Sequence, residues 1–358
     1  MRKKQSLIIA EAGVNHNGSM ELAYQLIDAA CEAGADVVKF QTYKTEKLVT
    51  READQANYQR INSKEFRSQY DMLKSLELSY DQFIELNKYC QIQGIEFMST
   101  AFDHDSIDFL LDEIKQSTFK ISSGDLTNAP LLLYLASKKV NIILSTGMAT
   151  MEEIHIALSF IAYGLSGQKD MSRDKVESYY HTKQAKAILN EYCTVLHCTT
   201  EYPTAITNVN LNTIDYLKEK LLLPVGFSDH TEGIIFPIVA AGKNVSVIEK
   251  HFTLDKNMTG PDHKASLDPS ELKEMVTNIR LIEKGLGKKE KIVSSSEYEN
   301  RKVARKSIIT SKAIQKGENF DDSNIDVRRP GEGISPFDYW DIIGQKASRN
   351  YRKDELIR

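Results

Sequence analysis

Two short stretches carry the densest chemistry in this chain of 358 residues: Gly226-Phe-Ser-Asp-His-Thr231 and Val247-Ile-Glu-Lys-His-Phe-Thr253. Each is an apolar run that stops in a cluster of charged and metal-competent side chains. His230 and His251 together suit a divalent metal, because imidazole binds Mn, Fe, Co or Zn and two protein ligands leave positions open for water and substrate. Two histidines alone are a poor metal signature, since structural sites use four ligands. Glu249 lies two residues before His251, so in a strand both point to the same side. Glu11, Glu249 and Asp262 are the carboxylates available for proton transfer or hydroxyl recognition. Lys39 and Lys120, with the hydroxyls of Thr100, Ser123 and Ser145, suit an anion, the ammonium groups supplying charge and the hydroxyls directional hydrogen bonds. The competing expectation for the lysines is ion pairing with Glu11 or Asp125.

These residues need elements that bring them together. They close a series of short, β-branched apolar runs at 7–11, 36–41, 95–100, 118–122, 140–145, 193–198, 223–228 and 246–251. Helical periodicity fills the gaps, at 20–33, 66–76, 79–93, 105–116, 151–162, 212–220, 234–241 and 269–284, with Ser266 or Asp268 capping the last. Strands alternating with helices predict a parallel sheet. Eight of them in about 285 residues predict a closed (β/α)8 TIM barrel, whose strand C-termini converge on one face. No GxGxxG follows the first strand, which weakens a dinucleotide-binding sheet. Residues 42–65 are expected to form an active-site loop, and 163–184 a solvated excursion. After a polar linker at 285–304, residues 305–358 are expected to form a small β-rich module with the single tryptophan, Trp340.

The composition is that of a globular protein, 41% hydrophobic and 27% charged, with a formal net charge of −4. That balance gives no reason to expect nucleic acid or an acidic membrane as partner. No apolar run is long enough to span a bilayer, and 7–10 is too short for a signal-peptide core, so a cytoplasmic protein is expected. The cysteines (Cys31, Cys90, Cys193 and Cys198) lack zinc-type spacing and read as buried thiols.

The polar strand ends fit a known pattern. Ala10-Glu-Ala-Gly-Val-Asn-His-Asn-Gly18, Val38-Lys-Phe-Gln-Thr42, Leu144-Ser-Thr-Gly-Met148, Leu196-His-Cys-Thr-Thr-Glu-Tyr-Pro-Thr204, the two histidine stretches, Gly260-Pro-Asp-His263 and Arg329-Pro-Gly331 occur in family order. With them the sequence resembles the bacterial sialic acid synthases: N-acetylneuraminate synthase and its legionaminic and pseudaminic acid relatives. The resemblance implies a barrel joined to an antifreeze-like (SAF) domain. It implies condensation of phosphoenolpyruvate with N-acetylmannosamine or a related N-acylated aminosugar, releasing phosphate. The legionaminic acid synthase reaction, on 2,4-diacetamido-2,4,6-trideoxymannose, is the alternative.

By resemblance, Lys39, Ser68, Thr100, Lys120, Ser123 and Ser145 hold phosphoenolpyruvate. Gln41, Tyr202, Glu249 and Asp262 face the sugar, Ser228 is a further substrate-binding residue, and Glu11 sits near the reacting centre. His230 and His251 bind the metal, manganese first, with magnesium or cobalt as alternatives. Arg329 is supplied by the other subunit of a domain-swapped homodimer. Asp125 stands where the family usually has Glu, at a place that bears on sugar identity. A Schiff-base aldolase working through Lys120 or Lys39, and a carbohydrate- or ice-binding protein built on the C-terminal module, are the readings from other classes.

Overall fold

Eight of the expected runs are strands, displaced by at most two residues at either end. They are β1 (Leu7–Gly13), β2 (Val37–Thr42), β3 (Glu96–Ala101), β4 (Thr118–Ile121), β5 (Asn141–Ser145), β6 (Cys193–Cys198), β7 (Val225–Asp229) and β8 (Val247–His251). The computed structural model describes residues 5–62 and 66–358. In it the strands form one parallel sheet in the order β3-β2-β1-β8-β7-β6-β5-β4, so β8 returns to β1 as a barrel requires.

The period-2 alternation of each strand separates two cores. Ile9, Val37, Met98, Ile143, Leu196 and Val247 fill the barrel interior. Ile8, Val38, Phe97, Leu144, Val195, Phe227 and Ile248 face the surrounding helices. Two residues beyond the interior positions come Glu11, Lys39, Thr100, Ser145, Cys198 and Glu249, so the same alternation aims the polar strand ends inward at the C-terminal mouth.

The barrel closes where β3 meets β4, and among the described residues no backbone ladder joins that pair. A side chain takes the ladder's place. Gln116, two residues before β4, accepts from Ser99 N at 2.8 Å and donates to Ser99 O at 2.9 Å. Its amide mimics a peptide unit, so the edge of β3 is not left with an unpaired buried donor and acceptor.

The helices follow their caps. Met20–Ala33 starts after Ser19 and ends at Gly34, whose φ of 79° places it in the left-handed region that glycine tolerates. Tyr80–Gln93 opens with a capping box at Ser79, and Pro269–Gly285 with one at Asp268, so Asp268 rather than Ser266 is the cap.

Three expectations change. The 42–65 loop contains the short helices Thr45–Leu48 and Asn57–Asn62, while its last part, 63–65, lies outside the described residues. The helix expected at 105–116 is His104–Asp112, which frees Gln116 for the seam. The 163–184 stretch is a folded helical elaboration rather than a solvated excursion. The helix Met151–Ser166 runs into it, Arg173–Tyr180 follows, and Tyr163 and Val176 are 1% and 2% exposed. Its few apolar residues sit at helical spacing among many charges, a pattern that composition alone hides.

The chain divides into two compact units, 1–287 and 288–358. The second begins with a helix, Ser295–Ala304, inside the stretch expected as linker. It then pairs β9 (Ser307–Thr310) antiparallel with β10 (Ile325–Arg328) over a core of Ile308, Ile314, Phe320, Ile325, Tyr351 and Ile357. Trp340 is on its surface, 79% exposed. No helix among the described residues is long and apolar enough to cross a membrane.

Candidate active site

Buried polar atoms normally find hydrogen-bond partners, so those that do not mark a place awaiting a ligand. Among the described residues such side-chain atoms are Glu11 Oε2, Asn15 Oδ1, Ser145 Oγ, Glu249 Oε2 and His251 Nδ1. Four of the five belong to strand-end residues at the barrel mouth, and the fifth to the loop that leaves β1.

A buried chain of alternating charge crosses the mouth. Lys39 Nζ lies 2.6 Å from Glu11 Oε2 and 3.5 Å from Glu249 Oε2, so these two carboxylate oxygens are ion-paired. Lys120 Nζ donates to Glu249 Oε1 at 2.9 Å, and Ser228 Oγ donates to the same oxygen at 2.7 Å. Lys39 also donates to Thr100 Oγ1 at 3.1 Å, and Gln41 Nε2 to Glu11 Oε1 at 3.3 Å. The expected pairing of a lysine with Glu11 is therefore present, for Lys39, alongside an unforeseen pairing of both lysines with Glu249.

The two carboxylates differ in character. Burial would raise both, but Lys120, Lys39 and the Ser228 hydroxyl hold Glu249 well below the usual carboxylate range. Burial dominates at Glu11, whose pKa is pushed up to about 7 against the pull of Lys39. Lys39 is held protonated: burial acts against its charge, but Glu11 and Glu249 outweigh it and its pKa rises. Burial raises Asp262 to about 6, with the neighbouring His230 opposing.

The histidines lie together beside this chain, their ring centroids 5.4 Å apart, with the Tyr202 ring 4.1 Å from that of His230. His230 Nδ1 bonds to the Thr199 carbonyl, which can only accept. Nδ1 therefore carries a proton, and Nε2 is the nitrogen that can act as a ligand when the ring is neutral; burial disfavours the charge on His230, but Cys198 and the Thr199 carbonyl outweigh it and its pKa rises. Burial, then His230, push His251 well below its ordinary value, so His251 is a neutral imidazole. Its orphaned Nδ1 is 3.9 Å from Asp262 Oδ2. Two imidazoles, His251 with an unused buried nitrogen, fit a divalent cation. No group of three or more His, Cys, Asp or Glu among the described residues is arranged as a cage, so the fit is to an open site.

Other predicted residues have more local partners. Ser123 Oγ accepts from Gly147 N at 2.9 Å, next to the orphaned Ser145 hydroxyl's strand. Ser68 caps the helix Gln69–Leu76, accepting from Asp71 N at 3.1 Å. Asp125 closes its own turn, accepting from Ser122 Oγ at 2.8 Å and Asn128 Nδ2 at 3.2 Å. Arg329 belongs to the second unit, where it is exposed.

Four further residues sit at or beside these strand ends, and none of them was assigned a role from the sequence. His197, at a strand end, points outward, stacks 5.8 Å from Phe227 and bonds to Val209 O. Cys198 takes the inward place, with Sγ 3.8 Å from His230 Nδ1. Asp229 and Lys250 form a buried pair of 2.6 Å on the outer face of the strands that carry the histidines. Counting alternation from Glu249 and His251 assigns Lys250 to that face, but its partner is across the sheet and out of reach of sequence spacing. Two cavities of about 900 and 990 Å³ flank the helices Met151–Ser166 and Arg173–Tyr180, and neither includes a mouth residue.

Comparison with known proteins places this geometry in context. The model of the NeuB family matches residues 26–291, and that of the SAF domain residues 305–358. The chain is 44% identical to an N,N'-diacetyllegionaminic acid synthase of Legionella pneumophila, over 96% of this chain and 90% of that one. It is also 44% identical to an N,N'-diacetyllegionaminic acid synthase of Campylobacter jejuni, over 99% of both chains. The crystal structure of an N-acetylneuraminic acid synthetase from Leptospira borgpetersenii superposes with a TM-score of 0.67 at 31% identity, over 83% of this chain and 90% of that one.

Proposed function

This chain belongs to the NeuB family, and from that premise we propose that it condenses phosphoenolpyruvate with an N-acylated aminosugar, giving a nine-carbon 2-keto acid and phosphate. The observation that carries the reading is the buried Glu11–Lys39–Glu249–Lys120 chain, which borders the two histidines and leaves the Ser145 hydroxyl and His251 Nδ1 without a partner.

Lys39 and Lys120, with Thr100, Ser123 and Ser145, would bind the phosphate and carboxylate of phosphoenolpyruvate and stabilise charge as phosphate leaves. C3 of phosphoenolpyruvate would attack the open-chain sugar's aldehyde carbon. Water then adds at C2, and the C2–O bond breaks to release phosphate. Glu11, pushed up to about 7, is placed to take the proton of that water. His230 and His251 would hold a divalent cation, manganese first, whose chemistry there is Lewis-acid polarisation of the sugar carbonyl. Glu249 and Asp262 retain acceptor capacity for sugar hydroxyl or amide groups. A Schiff-base aldolase fits less well, because it needs a lysine with a free lone pair, while Lys39 is held protonated and Lys120 is ion-paired with Glu249.

For the sugar, the reading best supported is 2,4-diacetamido-2,4,6-trideoxymannose. Identity to the two legionaminic acid synthases is 44%, against 31% to the Leptospira synthetase. N-acetylmannosamine is the second reading, supported by the 31% identity to that synthetase over 83% of this chain. Turnover of each sugar with phosphoenolpyruvate and manganese, read as phosphate release, decides between them. Failure of both removes the proposed reaction, and so does borohydride trapping of pyruvate. The homodimer is part of the proposal, and sedimentation at the mass of one chain would remove it.

A further inference from the structure

His230 stands one residue beyond the end of its strand's pairing. The β7–β8 register runs Phe227 to Ile248, Ser228 to Glu249 and Asp229 to Lys250, and stops there. His251 is held differently, by register with Glu11 of β1. The sheet therefore fixes His251 directly but leaves the next step of the chain, at His230, to other contacts.

The His230 carbonyl accepts from Thr204 N at 2.8 Å, and its Nδ1 meets the Thr199 carbonyl; Lys250 supplies the contact that ties this step to β8. Its ammonium donates to Asp229 Oδ2 at 2.6 Å and to the carbonyl of Thr231. Thr231 returns to Asp229, its N–H donating to Oδ1 at 3.1 Å and its hydroxyl to Oδ2 at 2.9 Å. The residues on either side of His230 are thus tied to each other and to the residue before His251. Lys250, Asp229 and Thr231 are each no more than 1% exposed, so water does not loosen the knot.

Burying such a pair is not an economical route to stability. Desolvation of both ions offsets most of their attraction, and well-packed apolar residues of similar volume serve as well or better. What an ion pair supplies, and an apolar pair does not, is direction. Here the direction sets the separation of two imidazoles on neighbouring strands.

We propose that Lys250, through Asp229 and Thr231, is a positioning residue that holds His230 at the spacing from His251 needed to share one divalent cation. The inference rests on the cation site of the proposed function. It concerns geometry on the helix-facing side of the sheet, the face opposite to that of Glu249 and His251. Outer partners that orient ligands typically contribute 10–100-fold to metal affinity.

The test is Mn(II) binding to the full chain without substrates, followed by the loss of the free-ion electron paramagnetic resonance signal. The variant is Lys250→Met with Asp229→Asn, which removes both charges and keeps an acceptor for Thr231. Its melting temperature should stay near the parent's while the Kd for Mn(II) rises about 10–100-fold. A folded double variant with the parent's Kd overturns the proposal. If the double variant does not fold, Thr231→Val removes one bond of the knot at equal volume. A several-fold weaker Kd supports the proposal, and an unchanged Kd overturns it. His251→Ala separates the two layers. If it binds Mn(II) as the parent does, the cation site itself is wrong and the positioning role falls with it. If it loses Mn(II) while the double variant does not, only the positioning role fails.

Discussion

Lys120 Nζ sits 2.9 Å from Glu249 Oε1, with both side chains at most 6% exposed. The contact joins β4 to β8 across the barrel mouth, far apart in both sequence and sheet order. Glu249 is shared with Lys39, so one carboxylate offsets much of the charge of two ammonium groups.

Removing that carboxylate should make the fold depend on anion binding. Glu249→Ala leaves two buried ammonium groups facing Glu11 alone, a loss of about 3–5 kcal/mol. Phosphoenolpyruvate should then recover more stability than it adds to the parent, since a ligand that binds the folded state stabilises by mass action. Thermal melts with and without phosphoenolpyruvate measure this. Equal ligand-induced shifts in parent and variant would remove the lysines from the anion site.

Glu11 is the group placed to handle a proton. Glu11→Gln keeps the size and an acceptor but takes no proton. Turnover should fall by about 10²–10⁴, the range for loss of a general acid or base. Circular dichroism should match the parent's. An unchanged kcat would take Glu11 out of the chemistry.

His16 should govern part of the acid limb of stability. Burial pushes it down to about 4 from an ordinary 6.5, and Gly18 N donates to its Nδ1 at 3.0 Å, a bond that only the unprotonated nitrogen accepts. The unfolded chain therefore takes up a proton at higher pH than the folded one. The stabilisation is complete above about 6.5 and is lost as the pH falls toward 4, by on the order of 3 kcal/mol. Urea unfolding between pH 7 and 4 should show the loss, and His16→Asn should flatten that slope. An identical slope in the variant would assign the effect elsewhere.

Gln116 should be worth more than its position in a loop suggests. Gln116→Leu keeps most of the volume and leaves the Ser99 N–H and C=O unpaired in a buried seam. The expected cost is about 2–6 kcal/mol, since each of the two unsatisfied buried groups costs about 1–3. Denaturant unfolding measures it, and a loss under about 1 kcal/mol would show that the seam is held by packing.

The sequence by itself determined the strands, the caps and the polar strand ends. Strand and helix periods are local properties, and a Ser79 or Asp268 cap acts within three residues. The inward set of Glu11, Lys39, Thr100, Ser145 and Glu249 was legible for the same reason, because alternation along a strand fixes its side. Only the tertiary structure decided the pairings. Lys120 meets Glu249 instead of Asp125, and Asp125 turns back onto Ser122 and Asn128. His197 faces the helices while Cys198 faces the mouth, and Lys250 reaches past the end of β7 to Thr231. Each of these depends on which strand lies next to which, and on where a ladder ends. Those relations arise when the barrel closes, so residues more than a hundred positions apart become neighbours without any local signal in the chain.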